Sequence, residues 1–236
     1  MEYTLSLALV DFIPVIFSAV GVFLIARMIA RLDAMSGQVA YLAAGLITLG
    51  GLSKAVWKLI IATTGNDFAV LDNLLFVFLG PGFTLLAGAL WHFRGALAGK
   101  VSSQRVWLRP FIIIALFGIG AIIARFVQPQ ERYWVFTLLA LTTLANLAVG
   151  ILLIRQAMQQ RLTLAAGLFL FNLIAVFALS GLARVPEQTI ALQWVEETIN
   201  AFAQGAFAFA AWQLSRETAV GKEFAAEVTE NTEVFT

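Results

Sequence analysis

The sequence predicts an all-α polytopic membrane protein with seven transmembrane helices, and composition is the first observation behind that prediction. Of the 236 residues, 61% are hydrophobic and only 12% are charged. The mean hydropathy is +0.89. Soluble domains carry about 25% charged residues, which they need to cover their surface. This chain has half that supply, so it is expected to lie in a lipid bilayer.

The second observation is a series of long apolar stretches separated by short polar connections. A helix needs about 20 mainly apolar residues to cross the hydrocarbon core. Barrel strands would alternate apolar and polar residues, and these stretches do not. The residues therefore predict one transmembrane domain over 1–216 and an acidic tail over 217–236, with spans at 4–30, 38–62, 67–92, 107–127, 133–158, 163–184 and 189–215.

The distribution of basic residues predicts the orientation of this multi-pass protein. Cytoplasmic ends of spans carry an excess of Lys and Arg. With the N-terminus outside, the inner side receives most of them: Arg27, Arg31, Arg94, Lys100, Arg105, Arg109, Arg155, Arg161, Arg216 and Lys222. We expect the N-terminus outside, the C-terminus and tail inside, and the plasma (inner) membrane as the location. The tail is either solvated or a docking element for a partner.

Self-similarity between the two halves of the chain predicts an internal repeat. Matching segments recur in the same order, with Val20–Arg27 like Val149–Arg155, Leu42–Leu46 like Leu164–Leu168, and Asp72–Asn73 like Glu196–Glu197. The predicted repeat units are 4–95 and 133–216. The helix at 107–127 would link them and restore their relative direction. Two units of one orientation are related by an axis along the membrane normal.

This 3+1+3 plan resembles the architecture of sugar-exporting SWEET proteins, PQ-loop transporters and rhodopsin-like seven-helix proteins. The resemblance concerns topology. SWEET and PQ-loop proteins place prolines in matching helices of both repeats, whereas here Pro14 is matched by Thr143 and the Pro129–Gln130 pair lies in a loop. The seventh span also lacks the lysine that links retinal in microbial rhodopsins. The resemblance therefore implies no specific family.

Ionisable residues inside the spans are the candidate functional residues. Each costs roughly 2.5–3.5 kcal/mol at the centre of a bilayer on insertion scales. At about 1.5 Å per residue, four of the spans place charge roughly 8–12 Å below the outer end. The predicted set is Asp11, Lys54, Lys58, Asp72, Asn73, Glu196, Glu197 and Asn200.

Three interpretations of this set stay open. The charges could bind a small molecule or ion, with the lysines facing an anionic group and the carboxylates a cationic group or a proton. Alternatively, Lys54 could pair with Asp72 or Glu196 and simply hold the bundle together. The lysines could also extend their charged ends to the membrane surface. Helix-breaking residues predict hinges at Pro14 and at Gly80, Pro81 and Gly82, although static kinks would have the same pattern.

Other residue types argue against catalysis. The chain has no cysteine and one histidine, so thiol chemistry and multi-histidine metal sites are not expected. His92 lies at the inner end of its span and is expected to be interfacial. No glycine-rich phosphate loop is found, and the net charge of +1 gives no reason to expect nucleic acid as a partner. We expect no enzyme activity and no metal, and the sequence identifies no cofactor.

Two functional hypotheses follow. The chain could be a small-molecule or ion transporter, or a receptor-like binding protein, with an outward-facing polar cavity. It could instead be a non-catalytic accessory subunit of a membrane protein complex. The expected partners are the lipid bilayer, a small-molecule or ion ligand, and other membrane proteins or further copies of this chain.

Overall fold

The computed structural model describes residues 4–99, 105–183, 185, 187 and 189–233, with side chains in the last helix described as far as Thr218. All regular structure in these ranges is helical. The helices are α1 (Leu5–Val10), α2 (Phe12–Ala30), α3 (Ala34–Thr64), α4 (Ala69–Leu97), α5 (Leu108–Val127), α6 (Tyr133–Gln159), α7 (Thr163–Leu182) and α8 (Ile190–Glu233). This confirms the predicted all-α membrane fold.

Local sequence explains where several helices begin and end. Pro14 has no backbone N–H, so the carbonyl of Val10 lacks its helical partner, and the first span is interrupted at Asp11 between α1 and α2. The carboxylate of Asp33 accepts hydrogen bonds from the backbone N–H groups of Met35 and Ser36 and caps α3. Gly65 ends α3 in the left-handed region, at φ 72°.

Six helices form a closed ring in the order α2, α3, α4, α6, α7, α8, and α8 returns to α2. Helix α5 lies outside the ring against α4 and α6, while α1 packs on α3 and α8. Replacing α2, α3 and α4 by α6, α7 and α8 maps this order onto itself. A parallel repeat with a peripheral linker helix would give the same order. The repeat itself stays a prediction.

The hydrophobic core fills one half of the ring. We call the end that carries Thr4 and the α3–α4 turn the N-terminal end. The core begins about 20–25 Å from it, counted along each helix at 1.5 Å per residue. Its first layer takes one side chain from each ring helix: Val22, Ile47, Leu85, Val149, Phe169 and Phe207. Phe169 and Phe207 meet edge to face at 5.8 Å between ring centroids. The far half is therefore closed by apolar packing.

Six spans of the described chain are long and apolar enough to cross a membrane, the first being α1 and α2 together. Helix α8 is less apolar, because its first half carries Glu196, Glu197, Asn200 and Gln204. It nevertheless packs within the ring between α2 and α7. The structure departs from the expected boundary at 215, because α8 continues as helix to Glu233.

The predicted hinge residues of α4 lie between two neighbouring helices. The helix is continuous across Pro81. A Cβ at Gly80 would lie 3.1 Å from the Leu141 side chain on α6, and one at Gly82 would lie 3.2 Å from the backbone nitrogen of Ile47 on α3. Both glycines thus allow close helix approach. A hinge at Gly80–Gly82, like the one at Pro14, stays a prediction.

Candidate ionic site at the N-terminal end

The most buried part of the site is an ion-paired trio centred on Lys58 of α3. Its ammonium Nζ donates hydrogen bonds to Asp11 Oδ1 at 3.1 Å and to Glu197 Oε1 at 2.5 Å. Asp11 lies at the junction of α1 and α2, and Glu197 lies on α8. The side chains of Lys58, Asp11 and Glu197 are 12%, 8% and 7% exposed. One cation therefore joins three segments from both halves of the chain.

A second group of charges lies beside the trio, and its side chains are more exposed. Lys54, one turn from Lys58 on α3, donates to Asp72 on α4. Asp72 also faces Arg132, the residue before α6, at 3.7 Å. The Lys54 ammonium lies 4.0 Å from the centroid of the Trp57 ring, a cation–π contact. The Trp57 indole in turn donates to Asp67 at 2.9 Å.

Helix α8 carries a polar stripe from the N-terminal end towards the core. Gln193, Glu197, Asn200 and Gln204 follow at spacings that place them on one helix face. Among the described residues, Gln193 Oε1, Glu196 Oε1 and Glu197 Oε2 are buried without a hydrogen-bond partner. Counted over the whole residue, Gln193 is 6% and Glu197 is 5% exposed. Buried polar atoms usually have a partner, so these oxygens form a polar environment that could receive a ligand.

The exposed fraction of these side chains differs between the two groups. The side chain of Arg132 is 65% exposed, those of Lys54 and Asp72 are 30% and 24% exposed, and the trio is almost fully covered. The hydrophobic core closes the ring beyond the polar stripe. The polar half of the ring therefore lies towards the N-terminal end.

This arrangement offers contacts to charged groups. It combines ammonium groups, a guanidinium and carboxylates, which can bind both signs of charge. No cluster of three His, Asp or Glu side chains suited to a metal ion is found in the described part of the chain. The unpartnered oxygens of Glu196, Glu197 and Gln193 can accept a donor or a proton.

His92 lies away from this site. With Trp91, Arg109 and Pro110 it lines an apolar groove of about 310 Å³ between α4, α5 and α6. The groove belongs to the opposite end of the bundle, as the sequence led us to expect for an interfacial histidine.

The structure brings together most of the residues that the sequence singled out. Asp11, Lys58 and Glu197 meet, as do Lys54 and Asp72, while Asn73 lies 3.5 Å from Arg132. Glu196 is half-buried beside the trio, and the α8 carboxylate that pairs with Lys58 is Glu197. Asn200 is half-buried one turn beyond Glu196. The pairing of Lys54 with Asp72 is one of the two pairings considered from the sequence.

Arg132, Trp57 and Gln193 were not among the candidate residues. Arg132 lies in a connection next to a span, where a positive charge is ordinary. Trp57 follows Lys54 by three residues, and this spacing on a helix was a usable signal for a cation–π contact. Gln193 precedes Glu197 by four residues, which also puts the two on one face.

Comparison with models of known protein families, with curated proteins and with solved structures found no match to this chain.

Proposed function

We propose that this membrane protein binds a small ionic solute or an ion in the polar half of its helix ring, as a transporter or as a receptor of the same build. One observation carries the proposal: charged side chains from several helices converge at one end, while apolar packing closes the other. Ionisable residues within a bilayer are costly, and they commonly mark solute or ion pathways. No catalytic role is proposed.

Lys54 and Asp72 are the best candidates for contact with the solute. They are more exposed than the trio, and Asp72 lies in the first turn of α4 at the N-terminal end. Its anionic group would face Lys54, and its cationic group would face Asp72. A zwitterion that separates Lys54 from Asp72 replaces one ion pair by two, so this pair favours a small zwitterion as the solute.

The test is binding of small anions, cations and zwitterions to the purified protein, measured as solute-dependent thermal stabilisation. Lys54→Ala should weaken binding of the stabilising solute by about tenfold or more, which corresponds to roughly 1.4 kcal/mol. Arg155→Ala is the matched control, because Arg155 is an exposed cation near the opposite end. Unchanged affinity in Lys54→Ala, or loss of the folded protein, would overturn the proposal.

The length of α8 favours a second candidate function, that of an accessory subunit of a membrane complex. A helix of 44 residues is about 66 Å long, roughly twice the hydrocarbon thickness of a bilayer. Its distal part, which includes the acidic residues after Glu217, would then dock on a partner. Native mass spectrometry of the protein from its own membrane separates the two functions: stoichiometric protein partners would support the subunit, and a small bound mass would support the solute site.

A further inference from the structure

The trio around Lys58 contains more negative than positive charge. Asp11 and Glu197 both contact the Lys58 ammonium. Because they share one nitrogen as partner, the two carboxyl groups are close enough for their charges to repel each other. In a buried site such repulsion favours the addition of a proton to one member of the pair.

A second feature of the trio is a carboxylate oxygen of Glu197 that lacks a hydrogen-bond partner among the described residues. The residue is 5% exposed, and its Oε2 has no hydrogen-bond partner among the described residues. A buried charged oxygen without a partner is costly. Protonation neutralises the group and turns the oxygen from an unpaired acceptor into a donor.

The charged groups near Glu197 come from the helices around it, and α2 adds none there because its one charged residue, Arg27, lies in its last turn. Helix α3 contributes Lys58 and, one turn away, Lys54, which is paired with Asp72 of α4. The α1–α2 junction contributes Asp11. Helix α8 itself contributes Glu196, which adds negative charge. The residues of α7, Thr163–Leu182, include no charged side chain. Lys58 is therefore the one cation in direct contact with the pair within the described residues.

We propose that Asp11 and Glu197 form a proton-binding pair that takes up one exchangeable proton, with Lys58 as its fixed counter-ion. Uptake forms one O–H bond on a carboxylate with a proton from water, and no other bond changes. A role for this proton as the coupling ion of solute movement rests on the proposed function. Binding of the proton to the resting protein does not depend on that function.

Protonation would act on the connection between the two halves of the ring. Helices α3 and α8 are not neighbours in the ring, because α2 lies between them, and both also contact α1. The Lys58–Glu197 ion pair joins them directly. A proton on Glu197 weakens that connection and leaves Lys58 with Asp11. The protonation state of the pair thus controls a link between the first three helices and α8.

Infrared difference spectroscopy of the purified, solute-free protein between about pH 5 and pH 9 tests this pair. The wild type should gain the carbonyl band of a protonated carboxyl group on acidification. Glu197→Gln or Asp11→Asn should remove that band, whereas Glu196→Gln, one position away, should keep it. Either pair variant can carry the test if the other does not fold.

Two results would overturn the proton site: a wild type without the carboxyl band, or a band that survives in both pair variants. Loss of the band in Glu196→Gln alone would also overturn it, because the proton would then belong to Glu196. The outcome is separate from the solute test. A protein that binds solute without the band contradicts only the proton pair, and one that shows the band without binding any solute contradicts only the proposed function.

Discussion

At the scale of single residues, two lysines one turn apart on α3 have different surroundings. Lys58 is enclosed by two buried carboxylates. Lys54 is 30% exposed, and its partner Asp72 also faces Arg132. Loss of a partner from a buried ion pair leaves an uncompensated charge, whereas Asp72 keeps a second cation, Arg132, when Lys54 is lost. The same substitution should therefore have different consequences at the two positions.

We expect Lys58→Met to reduce the free energy of unfolding by about 3–5 kcal/mol, because Asp11 and Glu197 would lose their shared cation. Lys54→Met should cost only about 0–1 kcal/mol, because Asp72 keeps Arg132. Thermal unfolding of both variants in the same detergent measures the difference. Lys58→Met combined with Glu197→Gln should recover part of the loss. Equal losses of unfolding free energy in Lys58→Met and Lys54→Met would contradict the stated difference in burial between the two ion pairs.

The sequence predicts the depth of these charges better than their pairing. Span boundaries and a fixed rise per residue place Asp11, Lys54, Lys58 and Asp72 near one end. Pairing depends on how each helix is rotated, and Glu196 and Glu197 point in directions about 100° apart on a helix. That rotation follows from packing, which explains why Glu197 faces Lys58 and Glu196 does not. Arg132 could not be assigned because its contact with Asp72 depends on the approach of α6 to α4.

At the scale of helices, glycines mark where two backbones approach most closely. Gly37 near the start of α3 faces Ala30 at the end of α2, and a Cβ there would lie 2.5 Å from the Cα of Ala30. Gly45, two turns further along α3, has nothing within 4 Å of such a Cβ. The two glycines of one helix thus differ in the contact that they make with its neighbour.

Gly37→Ala should destabilise the protein by about 1–3 kcal/mol, because the new methyl group meets backbone that cannot move without separating α2 from α3. Gly45→Ala is the matched control, and it should be neutral or stabilise by up to about 1 kcal/mol through helix propensity. Thermal unfolding of the purified variants compares them. A Gly37→Ala variant as stable as the control would show that the α2–α3 contact is looser than described.

Element boundaries follow the sequence where a residue terminates the helical hydrogen-bond pattern. Pro14 accounts for the interruption at Asp11, and Gly65 ends α3. The continuation of α8 was not predicted, because apolar character falls after about residue 215 while the capacity to form helix does not. Glu, Ala and Lys after that point are all good helix formers. Hydropathy indicates where a span ends, and a helix can continue beyond it.

At the scale of the whole molecule, the ion pairs lie in one half of the ring and a large hydrophobic cluster lies in the other. The hydrophobic cluster takes side chains from every ring helix, and the ion pairs connect both ends of the chain at the opposite level. Under the proposed function, the solute enters from the side of the membrane that faces the N-terminal end. Which side of the membrane that is depends on the orientation, and orientation therefore determines which compartment supplies the proposed solute.

Cysteine labelling tests the predicted orientation directly, since the chain contains no native cysteine. Asn66, between α3 and α4, is exposed at the N-terminal end, and Thr163, the first residue of α7, is exposed at the other. Because basic residues concentrate at the second end, a membrane-impermeant maleimide should label Asn66→Cys in intact cells. It should label Thr163→Cys only after permeabilisation. The reverse pattern would contradict the orientation and place the ionic site on the cytoplasmic side, where the solute and the proton would have to come from the cell interior.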